Sequence, residues 1–105
     1  MDAIAAPLPH EDREAIGVLC QRYGVARLDL FGSAAIGQFK PGRSDYDFLV
    51  EWAPGYTGSP AARFIGFAEA LEALLGAPVD LVNPRYIRNR YFAAEIERTR
   101  VPVYG

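Results

Sequence analysis

The sequence predicts an α+β (α/β) fold: a small mixed β-sheet backed by helices on one face. Three observations predict it. Apolar residues recur at helical spacing in two stretches, and each stretch is closed by a glycine. Three short β-prone runs lie between them, separated by loops containing Gly and Pro. The elements follow one another as α-β-β-α-β-α-(β), an order that covers one face of a small sheet and leaves part of the other open for chemistry.

Residues 1–9, with Pro7 and Pro9, read as a flexible tail. A helix opens between His10 and Asp12. Its apolar face is Ile16, Leu19, Cys20 and Tyr23, spaced i, i+3, i+4, i+7, and Gly24 stands where a C-terminal cap belongs. Cys20 lies on that face and is expected to be a buried small hydrophobe. His10 has no second imidazole near it and is expected at the surface. Residues 25–32, "VARLDLFG", form a strand that is apolar on both faces and hence central. A loop with Gly37, Pro41 and Gly42 leads to a second strand, 45–52, "DYDFLVEW". Pro54, Gly55, Gly58 and Pro60 mark another loop. The second helix spans about 61–75, with Phe64, Phe67, Ala68, Leu71, Leu74 and Leu75 on its core face and Gly76 at its end. Residues 77–83 are a short third strand. Asn83 and Pro84 fit the N-cap and first position of a third helix running to about Arg98, on which Arg85 and Arg88 would be neighbours. The closing "RVPVY" suits an edge strand, where Pro102 is tolerated.

Bulk properties narrow the function. A chain of 105 residues, half of them hydrophobic, fits a single domain, 1–105. The net charge of −2 argues against a general nucleic-acid coat protein. One cysteine permits no internal disulfide and suits a reducing compartment. There is no apolar run of about 18 residues, and the N-terminus lacks a basic signal region. A cytoplasmic location away from membranes is the expectation.

The chemistry concentrates in three aspartates and a turn. Side chains alternate along a strand, so Asp45 and Asp47 point the same way, about 7 Å apart, and Tyr46 points the other way. Asp80 interrupts the apolar run Pro78–Val82, where a charge is costly without a partner. If the two strands are neighbours, the three carboxylates share one site. Carboxylate oxygens suit Mg²⁺, and such a cluster supports in-line phosphoryl or nucleotidyl transfer. Gly32 follows the first strand directly. It allows close approach of a ligand or a positive φ, Ser33 offers a hydroxyl to a phosphate, and a short helix over 33–37 would add amides. A polar strand end and an ordinary strand-to-helix turn would account for the same residues separately.

Gly32-Ser33, eleven residues, then Asp45-Tyr46-Asp47 resembles the signature of the DNA polymerase β-type nucleotidyltransferase superfamily. "LFGSAA", "SDYDFLVEW" and "PVDLVNP" are more narrowly similar to the minimal nucleotidyltransferase (MNT) domain. The resemblance covers about residues 13–104. It implies that Asp45, Asp47 and Asp80 hold metal, two Mg²⁺ ions, and carry the catalysis. Gly32 and Ser33 would hold the triphosphate of ATP, the co-substrate. Related sequences carry basic residues where Ala34 and Ile36 stand here, and Arg43 or Lys40 is the candidate substitute. Many MNT proteins are antitoxins of HEPN/MNT toxin–antitoxin pairs, which transfer AMP to a tyrosine of a HEPN-family RNase toxin. The resemblance therefore implies that activity, a HEPN toxin partner and a hetero-oligomer with it. Two alternatives remain: an antitoxin that only occludes its toxin, and nucleotidyl transfer to a small molecule. A nucleic-acid substrate is not expected. The basic residues Arg85, Arg88, Arg90, Arg98 and Arg100 read as a solvated helix face or as a surface for an acidic partner.

Overall fold

A computed structural model describes residues 8–105. Helix α1 spans His10–Tyr23, strand β1 Val25–Phe31, β2 Tyr46–Trp52, α2 Pro60–Leu75, β3 Val79–Val82, α3 Arg90–Thr99 and β4 Val101–Tyr104. Short 3₁₀ turns cover Gly32–Ala34 and Pro84–Tyr86. The four strands form one mixed sheet in the order β3-β2-β1-β4. β1 is antiparallel to β2 and β4, and β2 is parallel to β3. β1 is central, as its apolar character on both faces requires. Among the described residues, no helix is long and apolar enough to cross a membrane.

Phe48 and Val50 on β2, Leu28 and Leu30 on β1, and Leu81 on β3 point to one face and bury against Ile16 and Cys20 of α1 and Phe67 and Leu71 of α2. Burial pushes the Cys20 thiol up to about 12, so it behaves as a small apolar side chain. Both helices stop where the backbone turns left-handed at glycine, φ 71° at Gly24 and 67° at Gly76. Ser59 caps α2 by accepting a hydrogen bond from the Ala62 amide. The Glu72 carboxylate accepts from the Val79 amide at 3.0 Å and so ties α2 to the first residue of β3.

Four expectations change. The helices back one face for α1 and α2 only. α3 lies over part of the other face, where Ile96 packs with Phe31 and Leu49. The third helix does not start at Pro84. Asn83 caps a single 3₁₀ turn, the chain then runs extended at Ile87, and Asn89 caps α3 by accepting from the Tyr91 and Phe92 amides. Arg85 and Arg88 are therefore not helical neighbours. Phe64 is not core but an exposed residue of α2. The tail 1–9 lies outside the described residues except at its end, and there Leu8 is buried in the core.

Candidate active site

The strand register assembles the site. Phe31, the last residue of β1, pairs with Asp47 of β2, and Asp47 pairs with Asp80 of β3. Directly paired residues share a face, so Asp47 and Asp80 stand side by side on the face opposite α1 and α2. Asp45 falls just before β2, not within it. Tyr46, facing the other way, stacks on Phe39 with ring centroids 4.3 Å apart. That contact fixes the loop between Gly32 and Asp45 against the start of β2.

The carboxylates repel one another. Burial first, then the charges of Asp80 and Asp45, push the Asp47 carboxyl from 3.8 up to about 6. Asp47 is half-buried, whereas Asp45 and Asp80 are exposed. Among the described residues, no three acidic, His or Cys side chains stand close enough to grip one ion as they are placed. The donor chemistry nevertheless fits a hard divalent cation: three carboxylates, two of them in register, at a point where negative charge is already unfavourable.

Gly32 has φ 74°, in the left-handed region, and a Cβ built on it would lie 2.5 Å from Asp47 Oδ2. Glycine is thus required there both for backbone conformation and for room. Gly32→Ala is expected to lower stability by about 1–3 kcal/mol and to displace the Asp47 carboxylate. Thermal melting together with a transfer assay reads both effects, and a variant with wild-type activity would show that the contact is dispensable. Ser33 follows in the same turn. Its hydroxyl makes no hydrogen bond among the described residues, while its carbonyl accepts from the Gln38 amide. The expected helix over 33–37 shortens to a three-residue turn.

Arg43 is exposed on the turn before Asp45, a turn closed by the Ser44 hydroxyl accepting from the Lys40 amide. Among the described residues, Arg43 forms no ion pair with Asp45, Asp47 or Asp80. The structure brings Gly32, Asp47 and Asp80 together, with Asp45 near enough to act on Asp47, and leaves Arg43 outside that group.

Two features were missed from sequence. Asp29 is 1% exposed on the same sheet face, where it accepts hydrogen bonds from Arg100 Nε at 2.8 Å and from Arg27 at 3.1 and 3.3 Å, and forms an ion pair with Arg100 at 2.6 Å. An aspartate in an apolar strand was the available signal, but its partner lies 71 residues away. The second feature is a groove of about 640 Å³ at the other end of β2 and β3, lined by Trp52, Phe64, Leu81, Tyr86, Arg88 and Phe92 among others and by none of the three aspartates.

Known proteins resemble this chain in sequence and in fold. A Methanocaldococcus jannaschii protein, provisionally named a protein adenylyltransferase, is 34% identical over 86 residues, 82% of this chain and 84% of that one. The Thermococcus cleftensis protein adenylyltransferase MntA is 43% identical over 65 residues, 61% of each chain. A solved structure provisionally described as a minimal nucleotidyltransferase superposes with a TM-score of 0.71 at 36% identity, covering 88% of this chain and 89% of that one. An MNT antitoxin in complex with a tri-AMPylated HEPN toxin, from Shewanella oneidensis, shares the fold with a TM-score of 0.60 at 23% identity, covering 90% and 71%. The signature of a glycine turn packed on paired aspartates and the match of residues 12–103 to the nucleotidyltransferase domain agree: the chain belongs to the nucleotidyltransferase domain family.

Proposed function

We propose that this chain, as one minimal domain in the cytoplasm, transfers AMP from ATP to a tyrosine of a HEPN-family RNase toxin and so acts as its antitoxin. The observation that carries this reading is the pairing of Asp47 with Asp80 beside Gly32. The protein adenylyltransferase relatives and the fold shared with an MNT antitoxin support the choice of nucleotide and acceptor.

Asp45, Asp47 and Asp80 would hold Mg²⁺, two ions, once the exposed Asp45 and Asp80 side chains close on Asp47. Bound Mg²⁺ supplies neutralisation of the phosphates and a lowered pKa for the acceptor hydroxyl. Ser33 donates its hydroxyl to a phosphate oxygen, and Gly32 leaves the space in which the nucleotide comes close to the backbone. Arg43 is the nearest basic residue before Asp45 in sequence and takes the place of the cations absent at Ala34 and Ile36. Asp80, exposed on the outermost strand, accepts the proton of the tyrosine hydroxyl at a carboxylate oxygen. The tyrosine oxygen then bonds to the α-phosphorus, the bond to the bridging oxygen breaks, and pyrophosphate leaves. Positioning and charge compensation account for most of the rate.

The test is incubation with α-labelled ATP, Mg²⁺ and a HEPN toxin encoded beside this gene. Label is expected on the toxin, and lost when its acceptor tyrosine is replaced by phenylalanine. A stable complex that carries no label would replace transfer by occlusion as the mode of neutralisation.

A further inference from the structure

One hydroxyl fastens the last turn of α3 to the Gly-Ser turn. Thr99, 3% exposed, donates its hydrogen to the Glu95 carbonyl at 2.9 Å and accepts from the Gly32 amide at 3.0 Å. A hydroxyl has one hydrogen, so once Glu95 takes it the lone pairs are left for Gly32 and the direction of the second bond is fixed. The Gly32 carbonyl, in turn, accepts from the Ala35 amide at 3.0 Å. Both polar groups of Gly32 are therefore committed, one locally and one to a residue 67 positions away.

We propose that Thr99 is a positioning residue for nucleotide binding: its hydroxyl holds the Gly32 backbone in the conformation that sets Ser33 and the contact with Asp47. The inference rests on the nucleotidyltransferase reading of this site. Its physical ground is a conflict within one residue. Gly32 lacks a side chain because Asp47 occupies that space, and a residue without a side chain restricts its own backbone least. A constraint from outside the turn resolves the conflict, and Thr99 is where the fold supplies it. Next to it, the ion pair of Arg100 with Asp29 ties the end of α3 to β1.

The experiment compares wild type with Thr99→Val, Thr99→Ser and Ile96→Val, using the ATP analogue AMP-PNP with Mg²⁺ as the probe. Ile96 is buried in the same helix, packed on Phe31 and Leu49, and its side chain has no polar atom to bond the turn, so its variant reports general loosening of α3. Thr99→Val is expected to weaken AMP-PNP binding about tenfold, the effect of leaving one amide without its partner. Thr99→Ser is expected to restore binding to within about twofold, and Ile96→Val to bind as wild type although it melts lower. In the wild type, the Gly32 amide is expected to exchange with solvent slowly, a measurement that needs no variant. Wild-type binding by Thr99→Val, equal weakening by Ile96→Val, or fast exchange at Gly32 would each overturn the inference while leaving the function standing. No binding of AMP-PNP by the wild type would overturn both.

Discussion

Asp47→Asn is expected to reduce AMP transfer by about 10³-fold or more, the consequence of losing several kcal/mol of charge stabilisation in the transition state. The fold is expected to survive, because the substitution keeps the shape and removes a repulsive charge. The pH dependence makes the same point independently. Folding raises the Asp47 pKa from 3.8 to about 6, through burial and then through Asp80 and Asp45. A raised carboxyl favours the protonated form in the native state. Its contribution to stability is therefore complete below about pH 4 and disappears as the pH climbs through 6. Metal-free wild type is expected to lose stability across that window, and Asp47→Asn to lose less. At pH 7 the variant is expected to be more stable by on the order of 1–2 kcal/mol, after allowing for solvent screening of a half-buried group. Added Mg²⁺ is expected to raise the melting temperature of wild type and not of the variant. Melting curves in EDTA and in Mg²⁺, at pH 4.5 and 7.5, check all of this. Transfer at the wild-type rate by Asp47→Asn would remove Asp47 from the site.

Arg100→Ala is expected to cost about 3 kcal/mol, the scale on which a buried ion pair loses one partner. Burial alone would lower the Arg100 pKa, but hydrogen bonds and charge from Asp29 and Glu97 outweigh it and raise it, so the guanidinium stays charged. Removing it leaves Asp29 at 1% exposure with only Arg27, whose side chain is 48% exposed and held at longer distances. The double variant Asp29→Leu with Arg100→Met is expected to recover most of the loss, since no buried charge then remains unpaired. Denaturant unfolding of the wild type, the single variant and the double variant gives the comparison. A single variant within 0.5 kcal/mol of wild type would show that Arg27 suffices, on the scale of ordinary surface substitutions, about ±0.5 kcal/mol.

Local patterns account for what could be read in advance. The i, i+3, i+4, i+7 spacing placed Ile16 and Cys20 in the core, and Gly24 and Gly76 ended their helices, because periodicity and left-handed caps are properties of neighbouring residues. The period of two put Tyr46 and Asp47 on opposite faces. The start of α3 was misplaced because "NPRYIRNR" contains two asparagines able to cap a helix, and local chemistry does not choose between them. Packing does: Ile87, in extended backbone, sits against the Phe31, Leu49 and Ile96 cluster. The bonds of Asp29 to Arg100 and of Gly32 to Thr99 were invisible for a different reason. Each joins residues about 70 positions apart, and nothing in the sequence near either partner marks the other.

The link between Glu72 and the Val79 amide has a consequence for how this protein tolerates change. β3 can lie along β2 in either of two parities. Sliding it by one residue would drive Asp80 into the helix-covered interior and turn Leu81 out to water. Glu72 checks that slide at the first residue of the strand. A codon gained or lost between positions 72 and 79 is thus expected to break that tie and, with it, the check that keeps Asp47 and Asp80 on a shared face.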